Sequence, residues 1–207
     1  MGFDEAFTEL PLIAILRGLR PDEALDIATV LFDGGFRILE VPLNSPSPLV
    51  SIARIAARFA ARLVIGAGTV LDTEAVAPIA EAGARLVVSP NFDAEVVRAA
   101  KKRGLVSIPG VATPSEAFAA LAAGADALKL FPAEIIAPKV VRSLRAVLPK
   151  ATRLIPVGGV APENIPAYRE AGADGFGIGS ALFKPGMSVE EVARAAAKFV
   201  EVMQKSG

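Results

Sequence analysis

The chain has 207 residues, long enough for one domain with a substantial core and short for two. It is 53% hydrophobic with a mean hydropathy of +0.49, and its 22 basic and 22 acidic residues give a formal net charge of +0; this fits an ordered, well-buried fold with no basic face for nucleic acid or anionic membrane. It contains no Cys and no His, which excludes disulfides, thiolate or histidine metal sites, cysteine nucleophiles and histidine triads, and leaves chemistry to Lys, Glu, Asp, Arg, Tyr, Ser, Thr and backbone donors.

The apolar runs are short and broken by Gly, Pro and charges, so no membrane-spanning helix is expected. The opening Met1-Gly2-Phe3-Asp4-Glu5 is acidic and lacks the layout of a signal peptide, and a cytoplasmic protein is expected.

Phe3 to Leu10 reads as a short lead helix and Pro11 to Arg17 as the first strand. Pro21-Asp22-Glu23 opens a helix that runs to Gly34-Gly35, and Ile38 to Leu43 is the second strand. The alternation continues with a helix over Ser47 to Ala60, a strand over Leu63 to Thr69, a helix from Asp72 to Gly83 and a strand over Arg85 to Ser89. Next come a helix over Asp93 to Arg103, a strand over Leu105 to Pro109, and a helix opened by the capping box of Thr113 and Glu116 and stopped at Gly124. A strand over Ala127 to Phe131, a helix over Pro138 to Leu148, a strand over Arg153 to Val157, a helix over Pro162 to Ala171, a strand over Gly175 to Gly179 and a helix over Val189 to Gln204 complete the chain.

Such strict alternation predicts a parallel sheet with helices outside it, and about eight strand-helix units predict a single (β/α)8 TIM barrel over residues 1–207. An open doubly wound sheet is the rival, weakened because no Gly-rich dinucleotide fingerprint follows the first strand.

One strand carries an unusual residue. In Leu128-Lys129-Leu130-Phe131, alternation puts the two leucines on one face and Lys129 with Phe131 on the other. A lysine on an interior face is desolvated; its pKa falls, and a neutral amine attacks carbonyls. The competing reading is an edge strand with a solvated lysine. Glu40 is the second such residue, between Ile38 and Pro42 on one face of its strand. Burial among apolar neighbours raises a carboxyl pKa and suits it to moving protons. A structural ion pair with Lys129 or Arg17 is the alternative.

In this fold the active site lies at the C-terminal ends of the strands. Arg17, Asn44, Thr69 and Pro90 stand at or just beyond four of those ends, and Arg17 suits a carboxylate or phosphate. Phe131, Pro90 and Leu12 are expected to wall the pocket. Gly158-Gly159 and Gly179-Ser180 follow the last two strands, where backbone N–H groups and a short helix start often bind phosphate. Glycines used only for tight turns would be the plainer explanation. Together these residues describe an imine-forming lysine, a carboxylate acid/base and anion sites, with no metal ligands of the histidine type: a class I aldolase for a phosphorylated oxo acid, for which no cofactor and no metal are expected, a carboxylate-bound magnesium being the metal site that composition leaves open.

At these same residues the sequence resembles the 2-dehydro-3-deoxy-6-phosphogluconate and 2-dehydro-3-deoxy-6-phosphogalactonate aldolases over nearly its whole length. The matching phrases, in family order, are Ile15-Leu16-Arg17-Gly18, Leu39-Glu40-Val41, Gly66-Ala67-Gly68-Thr69-Val70, Ser89-Pro90-Asn91, Leu128-Lys129-Leu130-Phe131-Pro132 and Val157-Gly158-Gly159-Val160. The resemblance implies that Lys129 forms an imine with pyruvate and that Glu40 relays protons. It implies that Arg17 and Thr69 bind the oxo acid, that Gly158, Gly159, Gly179 and Ser180 hold the phosphate, and that the protein is a homotrimer. The gluconate branch has Thr-Leu-Arg-Thr where this chain has Pro42-Leu43-Asn44-Ser45, so the arginine usually given to the carboxylate there is Asn44 here. Pro-Leu-Asn-Ser-Pro, and Asn91 after Ser89-Pro90, resemble the galactonate branch. Alternatives are the gluconate or 4-hydroxy-2-oxoglutarate activity, a phosphate-binding barrel isomerase, epimerase or synthase, a pyridoxal-phosphate barrel, and a non-enzymatic phosphosugar-binding barrel.

Overall fold

The computed structural model describes residues 1–205. Helix α1 (Phe3–Glu9) leads into β1 (Leu12–Ile15), α2 (Ala24–Asp33), β2 (Ile38–Pro42), α3 (Pro48–Phe59) with a 3-10 turn (Ala60–Arg62), β3 (Val64–Gly68), α4 (Val76–Glu81), β4 (Leu86–Val88) and α5 (Ala94–Lys102). The second half runs β5 (Val106–Ile108), β6 (Gly110–Val111), α6 (Pro114–Ala123), β7 (Leu128–Leu130), α7 (Pro138–Val147), β8 (Leu154–Pro156), α8 (Ile165–Glu170), β9 (Phe176–Ile178) and α9 (Val189–Lys205).

The strand pairs of both sheets are parallel. A curled six-stranded sheet has the order β5-β4-β3-β2-β1-β9, and a three-stranded sheet has the order β6-β7-β8. This is coarser than the eight-unit barrel expected from the sequence. The strand expected over Leu105 to Pro109 passes on at Pro109 into the second sheet. Proline has no N–H for the ladder. Its carbonyl still accepts from the Lys129 N–H at 3.0 Å. At the other junction a single parallel bridge joins Val157 to Gly177.

Three helices start later than their sequence pattern predicts: α2 at Ala24 instead of Pro21, α4 at Val76 instead of Asp72 and α8 at Ile165 instead of Pro162. Pro78 and Pro166 fall in the first turns of α4 and α8, since proline is tolerated only where its missing N–H is unneeded. The segment from Asp72 forms a turn instead, with the Asp72 carboxylate accepting from the Ala75 N–H at 2.9 Å. Elsewhere the caps follow the sequence: Asp93 accepts from the N–H groups of Glu95 and Val96, and Thr113 and Glu116 close their box.

Each strand buries both faces. Outward residues such as Leu12, Leu39, Val41, Leu128 and Leu130 pack with the helices in one apolar cluster. Inward residues such as Ile13, Ile15, Ile38, Val64, Leu86, Ile108 and Ile155 form a second cluster with Phe3, Ala6 and Phe7 of α1. Helix α1 therefore closes the interior near the strand starts, where Phe7 lies against Gly175. Leu12 belongs to the outer cluster, so it does not wall a central pocket; Ile15, three residues on and level with Glu40, takes that place. Among the described residues no helix is long and apolar enough to cross a membrane.

Candidate active site

Lys129 occupies the middle of β7, flanked by Gly110 on one neighbouring strand and Ile155 on the other. Its neighbours Leu128 and Leu130 face the helices, so the lysine is turned to the interior and is only 5% exposed. Its Nζ stands 4.7 Å from the centroid of the Phe131 ring. Burial lowers the pKa of the amine; Glu40 opposes that and Arg17 adds to it.

Glu40 faces the same interior from β2, level with Ile15 and Gly66. It is 2% exposed, and its Oε2 has no hydrogen-bond partner among the described residues. Burial pushes its pKa up to about 7, against the pull of Lys129 and, more weakly, of Arg17. A carboxyl that titrates near neutrality beside an amine that gives up its proton readily is an acid/base pair set for work on a carbonyl.

Arg17 follows β1 and donates to Asn44 Oδ1 at 2.8 Å. The pair stands at the mouth of a cavity of about 640 Å³. Of the residues singled out in the sequence, Arg17, Asn44, Lys129, Phe131, Gly158, Gly159, Gly179 and Ser180 line that cavity. Glu40 is not part of that lining; it is buried behind it, where the charges of Lys129 and Arg17, which do line the cavity, act on its carboxyl. Thr69 and Pro90 are half-buried and lie outside the lining. Thr69 has φ of 57°, a left-handed backbone rare for a β-branched residue. The Pro90 carbonyl oxygen packs so closely on Gly110 that a Cβ there would come within 2.2 Å of it.

Gly158 and Gly159 have φ of 100° and 63°, a turn open to glycine and strained for other residues. Asn164 pins it, donating from Nδ2 to the Gly159 carbonyl at 2.8 Å and accepting from the Ala161 N–H at 3.1 Å. After β9, the Gly179 carbonyl accepts from the N–H groups of Leu182 and Phe183. This is a turn, and among the described residues the expected helix start is absent before α9.

Sequence reasoning passed over two charged residues of the cavity wall, Glu134 and Lys184. Glu134 lies two residues beyond Pro132, and its carboxylate rests against Gly158, where a Cβ would come within 2.4 Å of Oε2. Its place just past the lysine strand was the available signal. Lys184 had only its position after the last strand to mark it.

With this geometry established, comparison with known proteins identifies the lineage. The family model for KDPG and KHG aldolase (KDPG is 2-dehydro-3-deoxy-6-phosphogluconate, KHG 4-hydroxy-2-oxoglutarate) matches residues 3–198.

The chain belongs to the KDPG and KHG aldolase family.

Within this aldolase family it is 47% identical, over 96% of its length and 97% of the relative's, to the 2-dehydro-3-deoxy-6-phosphogalactonate aldolase of Escherichia coli (strain K12). It is 49% identical to the probable 2-dehydro-3-deoxy-6-phosphogalactonate aldolase of Rhizobium meliloti (strain 1021), covering 89% of this chain and 87% of that one. A solved structure described as "Native KDPGal structure" superposes with a TM-score of 0.94 at 46% identity, covering 96% of each chain. As an aldolase of this family the protein is a lyase.

Proposed function

We propose that this protein is the class I aldolase that cleaves 2-dehydro-3-deoxy-6-phosphogalactonate into pyruvate and glyceraldehyde 3-phosphate. The observation that carries the chemistry is the buried Lys129, lining a cavity whose mouth holds Arg17, with the buried Glu40 carboxyl coupled to both charges.

The neutral amine of Lys129 attacks C2 of the oxo acid, and Glu40 delivers the proton with which the carbinolamine loses water. The resulting protonated imine accepts the electron pair of the C3–C4 bond. Glu40, directly or through a water, takes the C4 hydroxyl proton as that bond breaks, and glyceraldehyde 3-phosphate leaves. The enamine on Lys129 is then protonated at C3, and hydrolysis frees pyruvate. Arg17 binds the carboxylate end, and Phe131 shapes the wall. The backbone of Gly158, Gly159 and Gly179, with Ser180, receives the phosphate.

The galactonate substrate is favoured by Asn44 at the position of the gluconate branch's arginine, and by the two relatives of that name at 47% and 49% identity. The epimers differ at C4, which a site reads through hydroxyl hydrogen bonds. Purified protein offered both should show the higher kcat/KM with the galactonate epimer; a clear preference for the gluconate epimer would transfer the protein to that branch.

The proposal includes the architecture that the chemistry needs. We infer that the two sheets belong to one closed (β/α)8 barrel in a single domain, a reading supported by the Pro109 carbonyl bonding to Lys129 at one junction and the Val157–Gly177 bridge at the other. A homotrimer is proposed from the family resemblance, with the exposed apolar side chains of Val50, Leu71, Phe118 and Ile135 available for subunit contacts. Light scattering should give three times the 21.4 kDa chain mass. A cytoplasmic setting belongs to the same reading, since a phosphorylated sugar acid does not cross a bilayer unaided.

A further inference from the structure

Arg17 is held from three directions. Its neighbour Gly18 donates its N–H to Ser45 Oγ at 2.9 Å, which ties the loop after β1 to the loop after β2. Gly18, with φ of 85°, also lies under Pro185 from the loop after β9; a Cβ on it would come within 2.6 Å of the proline Cγ. These two contacts fix the backbone beside Arg17. The guanidinium itself is exposed at the cavity mouth and donates a hydrogen bond to Asn44 Oδ1 at 2.8 Å. Among the described residues no carboxylate forms an ion pair with it.

The charge so placed acts on both groups beneath it. Glu40 is faced by Lys129 from β7 and by Arg17 from the loop after β1; Lys129 is faced by Glu40 and Arg17, with the Phe131 ring beside its Nζ. Arg17 disfavours the proton on Lys129 and on Glu40 alike. Both influences favour the neutral amine and the carboxylate. A long side chain free at the mouth would spread over many rotamers and weaken this effect. A neutral acceptor fixes the guanidinium without cancelling its charge, which an aspartate would do.

We propose that Asn44 is a positioning residue: by accepting a hydrogen bond from Arg17 it holds that guanidinium over the Glu40–Lys129 pair and leaves its full charge for the carboxylate of the oxo acid. This rests on the reading of Lys129 as the imine-forming residue, and it differs from that reading's simplest extension, in which Asn44 touches substrate itself.

A double-mutant cycle on Asn44→Ala and Arg17→Ala tests it, with kcat, KM and the pH profile of kcat/KM as readouts. Asn44→Ala alone should lower kcat/KM by about tenfold, the range for losing a hydrogen bond to a charged group, mostly through KM. It should also move the ascending limb of the profile to higher pH. In the Arg17→Ala background the same substitution should cost less than about twofold, because its partner is already gone. Asn44→Asp, which keeps an acceptor and adds a charge, should move the limb further still. Equal costs in both backgrounds, or an unmoved pH profile in Asn44→Ala, would overturn the proposal. Borohydride trapping of pyruvate on the unsubstituted protein separates the two levels. An adduct with an additive cycle sinks the role of Asn44 alone, whereas no adduct on Lys129 removes the reading beneath it.

Discussion

A Cβ placed on Gly68 would lie 1.7 Å from Glu40 Oε2, so the carboxylate occupies the space that any side chain at residue 68 would need. Gly68 sits on β3 directly beside Pro42, two residues along from the Glu40–Gly66 pair. The buried carboxyl is therefore seated by an absent side chain as much as by its own strand. Gly68→Ala is expected to displace Glu40 and to lower kcat by about a hundredfold or more, the lower end of the range for losing a general acid/base. Circular dichroism should show the fold retained; a variant with normal turnover would show that the carboxylate position does not matter.

Glu40→Gln keeps the shape and removes the titration. It should lower kcat by about 10² to 10⁴. Stability gives a second readout. The ordinary value of this carboxyl is 4.5 and burial pushes it up to about 7, so the folded state holds the proton more tightly than the unfolded state. The corresponding stabilisation is fully present below the unfolded value and is lost as pH rises through the folded one. Wild-type protein should therefore lose stability relative to Glu40→Gln between about pH 5 and about pH 8, measured as urea midpoints. A constant difference between the two proteins across that window would contradict the assignment.

Lys129→Met removes the amine and keeps an unbranched apolar chain in a site where the lysine is 5% exposed. Activity should fall to background and no pyruvate adduct should form. Thermal stability should be equal to or above that of the wild type, because a desolvated amine is exchanged for an apolar group and Glu40 is able to take up a proton. A large drop in Tm would show that the lysine is a structural ion-pair partner.

Gly158→Ala asks whether the glycine turn receives phosphate. The residue has φ of 100°, and an added Cβ would lie 2.4 Å from Glu134 Oε2. KM for the phosphorylated substrate should rise about tenfold, equivalent to about 1.4 kcal/mol. Exchange of the pyruvate methyl protons, which needs no phosphate, should be nearly unchanged. An equal loss in both reactions would mean that the turn is only scaffolding.

The interior orientation of Lys129 and Glu40 was legible because each interrupts a short apolar strand, where a period of two fixes which neighbours share its face. The order of helices and strands was legible from glycine stops and caps such as Asp93 and Thr113. Other features depended on how separate segments meet. Leu12 and Ile15 lie on opposite faces of β1, and only the register that sets Ile15 beside Glu40 decides which one looks inward. The Arg17–Asn44 bond joins side chains 27 residues apart on two loops, each ordinary by itself. Glu134 meets Gly158 only after β7 and β8 are paired. Thr69 and Pro90 were expected in the pocket from their places at strand ends, yet a strand end gives no depth along the strand direction, and both stand outside the cavity lining.

The most direct test of the central claim is intact mass after incubation with pyruvate and borohydride, followed by peptide mapping. The account predicts one reduced pyruvate adduct per chain, on Lys129 and absent from Lys129→Met. Folded protein with no adduct, or with the adduct on another lysine such as Lys184, would contradict it.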